Sequence, residues 1–144
     1  MENKIYWAKS NPRQTLAEHT ADVLLVWDEL LQYYSKYFSS LEKEVISIAL
    51  ECHDLGKVND VFQYKICKNM QVSTSYADVN DDIPHGFVSC AYLDIDELEA
   101  KFGEEYASAL VTSIYTHHVR KKEVNRIKLK NFISKYMPKE FFMN

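Results

Sequence analysis

Apolar side chains recur every three or four residues along most of this chain, and very little interrupts them. Leu16, Val23, Val26, Trp27, Leu30, Leu31 and Tyr34 form one such stripe, the period of a helix whose one face meets a core. Only three glycines and three prolines occur in 144 residues, against usual frequencies of about 7% and 5%. An all-β fold would need many more turn residues, so the chain reads as helix after helix.

Start and stop signals divide the pattern. Thr15 with Glu18, and Ser39 with Glu42, are capping boxes, in which each side chain satisfies the other's free backbone N–H. The second opens a helix bearing Leu41, Val45, Ile46, Ala49 and Leu50 and expected to end near Gly56. A short helix over Val58–Lys68 follows, then a polar, turn-rich loop over 69–83. Asp82 can cap a helix with Pro84 in its first turn, running through Val88 and Tyr92. Three more helices are expected. One carries Ile95, Leu98 and Phe102 and stops at Gly103. The next carries Tyr106, Leu110, Val111 and Ile114 and reaches His117-His118. The last carries Ile127, Leu129, Phe132, Ile133 and Tyr136 before Pro138. Short joints between successive helices predict a single all-α domain over residues 1–144.

Several function classes fall away. No apolar run approaches the ~18 residues that cross a bilayer, and Met1-Glu2-Asn3-Lys4 lacks the layout of a signal peptide. Cys52, Cys67 and Cys90 are odd in number and have no C-x-x-C spacing. They predict neither a disulfide framework nor a zinc finger, but a reduced cytoplasmic protein without a membrane partner. Gly56-Lys57 has no earlier glycine at P-loop spacing. No G-x-S-x-G elbow, H-E-x-x-H or EF-hand pattern is present.

The formal charge of −4 hides a division. Residues 1–118 hold nine basic and nineteen acidic groups, a net of −10, and residues 119–144 hold eight and two, a net of +6. Arg120, Lys121, Lys122, Arg126 and Lys128 begin the basic stretch, with Phe132, Tyr136 and Phe141 interleaved among later lysines. Such a segment can hold a phosphate backbone. A solvated helix face reads the same way.

The histidines carry the chemistry. His19, His53, His85, His117 and His118 each fall on or at the end of an expected helix. One histidine on a helix is ordinarily a packed or solvated residue. All five, ordered as H…HD-L-G-K…P-H-G…H-H on successive helices, are a different matter. Imidazole nitrogen with carboxylate oxygen suits zinc, iron, cobalt, nickel or manganese. A two-metal site needs a bridging ligand between ions about 3.5–4 Å apart. His53-Asp54 can supply a flanking and a bridging donor together, and the rest must come from other helices.

With these residues in view, the sequence resembles the HD superfamily of metal-dependent phosphohydrolases. Within it, the chain is similar to the HD nuclease domain of the type I CRISPR-associated nuclease-helicases. Tyr6-Trp7-Ala8-Lys9-Ser10 with Leu16, His19, Asp22 and Val23 carry the resemblance at the start. His53-Asp54-Leu55-Gly56-Lys57 with Phe62-Gln63, then Pro84-His85-Gly86 with Ser89, then His117-His118 carry the rest. The resemblance implies an all-α helical bundle with one or two divalent ions between helices, magnesium being a further candidate metal. It implies one ion on the residues matching His19, His53 and Asp54, and a second on those matching Asp54, His85, His117 and His118. Asp54 would bridge them, and Lys57 would meet the scissile phosphate or its surroundings. The implied activity is cleavage of single-stranded DNA in antiviral defence. The implied partners are a CRISPR surveillance complex and a helicase domain or subunit outside this chain.

One departure stands out. The family supplies a further ligand aspartate after the His-His pair, whereas here the last aspartate is Asp96. Either the chain ends before that helix, or the first ion is weakly held. Two other readings stay open: a phosphohydrolase for nucleotides or cyclic dinucleotides, and a non-catalytic metal-binding or docking module.

Overall fold

The computed structural model describes residues 4–76, 78–79, 83–118 and 125–138. A hairpin of β1 (Trp7–Ser10) and β2 (Arg13–Thr15) leads into α1 (Leu16–Tyr34). Then come α2 (Ser40–Cys52), a 3-10 turn at Leu55–Lys57, α3 (Asp60–Met70), α4 (His85–Ser89) and a 3-10 turn at Cys90–Tyr92. The helices α5 (Ile95–Phe102), α6 (Glu104–Thr116) and α7 (Arg126–Tyr136) complete the described chain. The fold is the all-α bundle that the apolar periodicity implies.

Both capping boxes form, with Thr15 and Ser39 as N-caps of α1 and α2. The second helix does not run to Gly56. It stops at Cys52, because the chain tightens into a 3-10 turn over Leu55–Lys57. The third begins at Asp60, where the Asn59 side chain accepts the Phe62 N–H at 2.8 Å. The expected long helix after Pro84 is two short pieces, α4 and the 3-10 turn over Cys90–Tyr92. Pro84 is the N-cap of α4, one position ahead of the first turn. Asp82, expected to cap it, lies outside the described residues.

Helical periodicity does not reveal the antiparallel hairpin. Its strands pair Lys9 with Gln14 and Ser10 with Arg13, with an irregularity between Trp7 and Lys9. Strands of four and three residues are too short to show an alternating pattern. The hairpin is bolted to α3 by Gln63, which is fully buried. The Gln63 amide oxygen accepts the Trp7 N–H at 2.9 Å, and its NH2 donates to the carbonyls of Trp7 at 3.0 Å and Lys57 at 2.9 Å. A buried amide left unpaired would cost about 1–3 kcal/mol; this one is paired on both ends.

Two apolar patches flank α4. Val45, Phe102, Leu110 and Ile114 join α2, α5 and α6. Val61, Phe87, Val88, Phe132 and Tyr136 join α3, α4 and α7. Each such side chain, fully buried, contributes about 1.5–3 kcal/mol. The stripe on α1 is only partly used: Leu16 and Trp27 are buried, while Val26, Leu30 and Tyr34 are exposed. Among the described residues α1 packs against α2 and the hairpin, so only one side of its stripe meets the core.

Candidate metal centre

Four elements deliver the histidines to one point. His19 stands one turn into α1, so its position follows from where Thr15 starts that helix. Glu18 completes the cap by accepting the Thr15 N–H at 2.8 Å, which holds its carboxyl below the usual range. His53 is the C-cap of α2, and Asp54 follows it. His85 opens α4, and His117 is the C-cap of α6.

Close packing holds the Asp54 turn against α4. A Cβ on Gly56 would fall 2.0 Å from the His85 carbonyl oxygen and 2.5 Å from the Ser89 nitrogen. Only glycine permits that approach. Ser89, fully buried, then joins the pieces: it accepts the Gly56 N–H at 2.8 Å and donates its hydroxyl to the His53 carbonyl at 2.7 Å. Gly86 plays the same part toward α6, where a Cβ would lie 3.0 Å from the Ile114 carbonyl oxygen.

Asp54 sits at the middle with 2% of its surface exposed. Its Oδ2 lies 2.6 Å from Lys57 Nζ, 3.2 Å from His19 Nε2 and 3.3 Å from His53 Nε2. Its Oδ1 lies 3.0 Å from His85 Nε2 and 3.5 Å from His117 Nε2. Burial alone would raise the Asp54 pKa, but the surrounding His117, His53, His85 and Lys57 side chains outweigh it and hold the carboxyl well below the usual range. Asp54 is therefore a buried carboxylate. The Oδ1 contacts are close without the alignment of hydrogen bonds, which leaves that buried oxygen without a hydrogen-bond partner.

The proton inventory sharpens what the centre wants. His53 Nδ1 lies 2.6 Å from the Leu50 carbonyl and His117 Nδ1 lies 2.5 Å from the Ile114 carbonyl. A carbonyl can only accept, so in both rings Nδ1 carries the proton and the neutral ring presents an Nε2 lone pair. Both carbonyls belong to the last turn of a helix, where no intrahelical donor reaches them. Lone pairs thus face Asp54 oxygens, and His85 Nε2 and His117 Nε2 face each other at 3.2 Å. Each of those contacts needs a proton or a cation between its partners. Burial lowers the pKa of His19 and of His118 and so disfavours the proton there. Burial also pulls His53 down, but Asp54 and the Leu50 carbonyl outweigh it and leave that pKa raised.

The donors divide into two groups sharing Asp54. One is His19, His53 and Asp54; the other is Asp54, His85, His117 and His118, with donor atoms within 4.8 Å of one another in each. Imidazole and carboxylate donors in this number fit a divalent transition ion, and the unpartnered Oδ1 is a donor free to take one.

Other residues singled out by sequence fall in different places. Lys57 is buried, with its ammonium on Asp54 Oδ2, 3.4 Å from the Ala8 carbonyl and over the Phe62 ring. It neutralises the carboxylate from inside the fold. Arg126 and Lys128 lie exposed at the start of α7 and line neither cavity beside the centre. Arg120, Lys121 and Lys122 lie outside the described residues. Two lysines that sequence reasoning left without a role, Lys9 and Lys65, line a cavity of about 580 Å³ that reaches His85 and His118. No spacing signal links them, because they meet only when β1 packs on α3. On the other side, a cavity of about 410 Å³ reaches His19 and is lined mostly by apolar groups such as Val26, Trp27 and Leu30.

A family model described as "Cas3, HD domain" matches residues 7–137, nearly the whole chain. No curated protein and no solved structure matches it.

Proposed function

We propose, because the chain belongs to the family of Cas3 HD domains, that it is a divalent-metal-dependent nuclease cutting single-stranded DNA in CRISPR interference. One observation supports this reading most: imidazole Nε2 atoms converge on a buried carboxylate while backbone carbonyls take the Nδ1–H of two of the rings, so that each of these rings, when neutral, turns a lone pair toward it. His19, His53 and Asp54 would hold one ion, and Asp54, His85, His117 and His118 another. A divalent ion held there would supply a nucleophile from water near neutral pH and positive charge for the phosphoryl oxygens.

The chain's own residues supply the rest. Asp54, ionised and buried, turns one oxygen to each donor group. Lys57 keeps positive charge beside it, which steadies the carboxylate and adds to the attraction for an incoming phosphate. His118 is the exposed member of its group, so a strand entering from solvent meets that group first. A histidine-rich donor set favours manganese, nickel, iron, cobalt or zinc over magnesium. A surveillance complex that opens a foreign duplex and a helicase that feeds the strand are the partners this reading requires.

The test is incubation of the chain with a single-stranded oligonucleotide and Mn²⁺, Ni²⁺ or Mg²⁺. Cutting with a transition ion, lost together with bound metal in Asp54→Ala, is the expected result. If no ion supports cutting while a nucleotide or cyclic dinucleotide is turned over rapidly, the substrate class is wrong. Metal binding without hydrolysis of either would make the chain a docking module.

A further inference from the structure

The two cavities beside the centre differ in chemistry, and the larger one is built like a groove for a nucleic-acid strand. Its first wall comes from β1 and α3 and carries Lys9, Lys65, Asn11 and Asn69. The second comes from α4 and α6 and carries His85, His118 and the ring of Tyr115. Residues 1–118 hold nineteen acidic groups, yet among the described residues no aspartate or glutamate lines this cavity. Two lysines on a cleft of an otherwise negatively charged body, Lys9 among them exposed, draw anions toward it. Lys9 is also close enough to act electrostatically on His19, so its charge is felt at the centre itself.

The second wall supplies the other half of strand recognition. Tyr115 is 45% exposed and its ring leans on Phe87 with centroids 4.1 Å apart. A supported aromatic face open to solvent is a stacking platform for a base, whatever its identity. The volume of about 580 Å³ falls within the usual range of roughly 300–1,000 Å³ for a ligand cleft.

We propose that this cleft is the strand-binding groove of the centre, with Lys9 and Lys65 holding backbone phosphates on the β1–α3 wall and Tyr115 stacking a base on the α6 wall. The strand so oriented approaches by way of His118 and His85, and the apolar groups of the cavity beside His19, such as Val26, take no part in holding it. This inference rests on the nuclease reading and adds to it the path, the orientation and the residues that hold the substrate.

The test uses the full chain with manganese and a fluorescein-labelled oligothymidylate, reading cleavage kinetics, and binding across a salt series. Tyr115→Ala raises KM by about 5- to 100-fold, the usual cost of one lost base stack, with kcat within about twofold. Lys9→Ala combined with Lys65→Ala flattens the dependence of log affinity on log salt by about 1.4, two phosphate contacts at about 0.7 each for a single strand. Val26→Ser, in the apolar cavity, leaves both readouts unmoved. If the wild type cuts but those variants keep its KM and salt slope, or if only Arg126→Ala with Lys128→Ala moves the slope, the groove is overturned and the nuclease reading stands. A wild type that neither binds nor cuts the oligonucleotide overturns both.

Discussion

Two sides of one carboxylate are furnished differently. Toward α4 and α6, Asp54 is joined by three histidines, and the space beyond holds lysines, asparagines and an open aromatic ring. Toward α1 it is joined by two histidines, and the space beyond is lined mainly by Val23, Val26, Trp27, Leu30, Ile46 and Leu50, with Lys9 and Asp22 at its edge. Four protein donors can satisfy a tetrahedral ion by themselves, whereas three leave a position for another ligand. The difference indicates a division of labour. On the proposed reading, the four-donor side would hold a metal firmly and the three-donor side would hold one more loosely beside a mostly apolar wall.

The comparison can be broken at its hinge. Gly56→Ala forces a methyl into the His85 carbonyl, and backbone on both sides gives little room to relax. A loss of more than about 4 kcal/mol is expected, read by urea denaturation, with both donor groups dispersed. A mild effect would mean that the two sides are not held together at this point.

Ligand removal separates the sides. His117→Ala should weaken metal binding by more than the about 10- to 100-fold typical of a lost outer-shell partner. His19→Ala should remove one ion from the stoichiometry and leave the affinity for the other within about threefold. Isothermal titration with Mn²⁺ checks both. If His19→Ala instead strips both ions, the asymmetry is reversed.

The smallest change sharpens the contrast. Thr15→Ala deletes the cap that positions His19 and costs about 1 kcal/mol of stability. Metal affinity should drift on the α1 side alone, which a titration resolving two binding events would detect.

Much of this was legible in one dimension, for reasons particular residues make plain. Metal chemistry draws on few residue types, so five histidines and an aspartate in helical context stand out, and the fold brings all six to one centre. Capping boxes at Thr15 and Ser39 are local, and local signals survive without tertiary knowledge. The hairpin did not announce itself, because its strands are short and its hold on α3 runs through Gln63, a residue distant in sequence. The basic cluster after His118 drew attention by density, yet Lys9 and Lys65, fifty-six positions apart, are the lysines that line the larger cavity beside the centre. The α1 stripe promised more burial than it receives, since periodicity tells which face is apolar and not what will cover it.

The backbone carbonyls behind His53 and His117 have a consequence for how such a centre changes over generations. Where an imidazole is steered by another side chain, any substitution of that partner can misdirect the ring. Here the steering atom belongs to the main chain, and every amino acid at positions 50 and 114 offers the same oxygen. Leu50 and Ile114 can drift with the core around them while the rings keep their orientation. The same arrangement should leave two slowly exchanging imidazole N–H protons, visible by nitrogen-edited magnetic resonance as a pair that survives when side chains nearby are replaced.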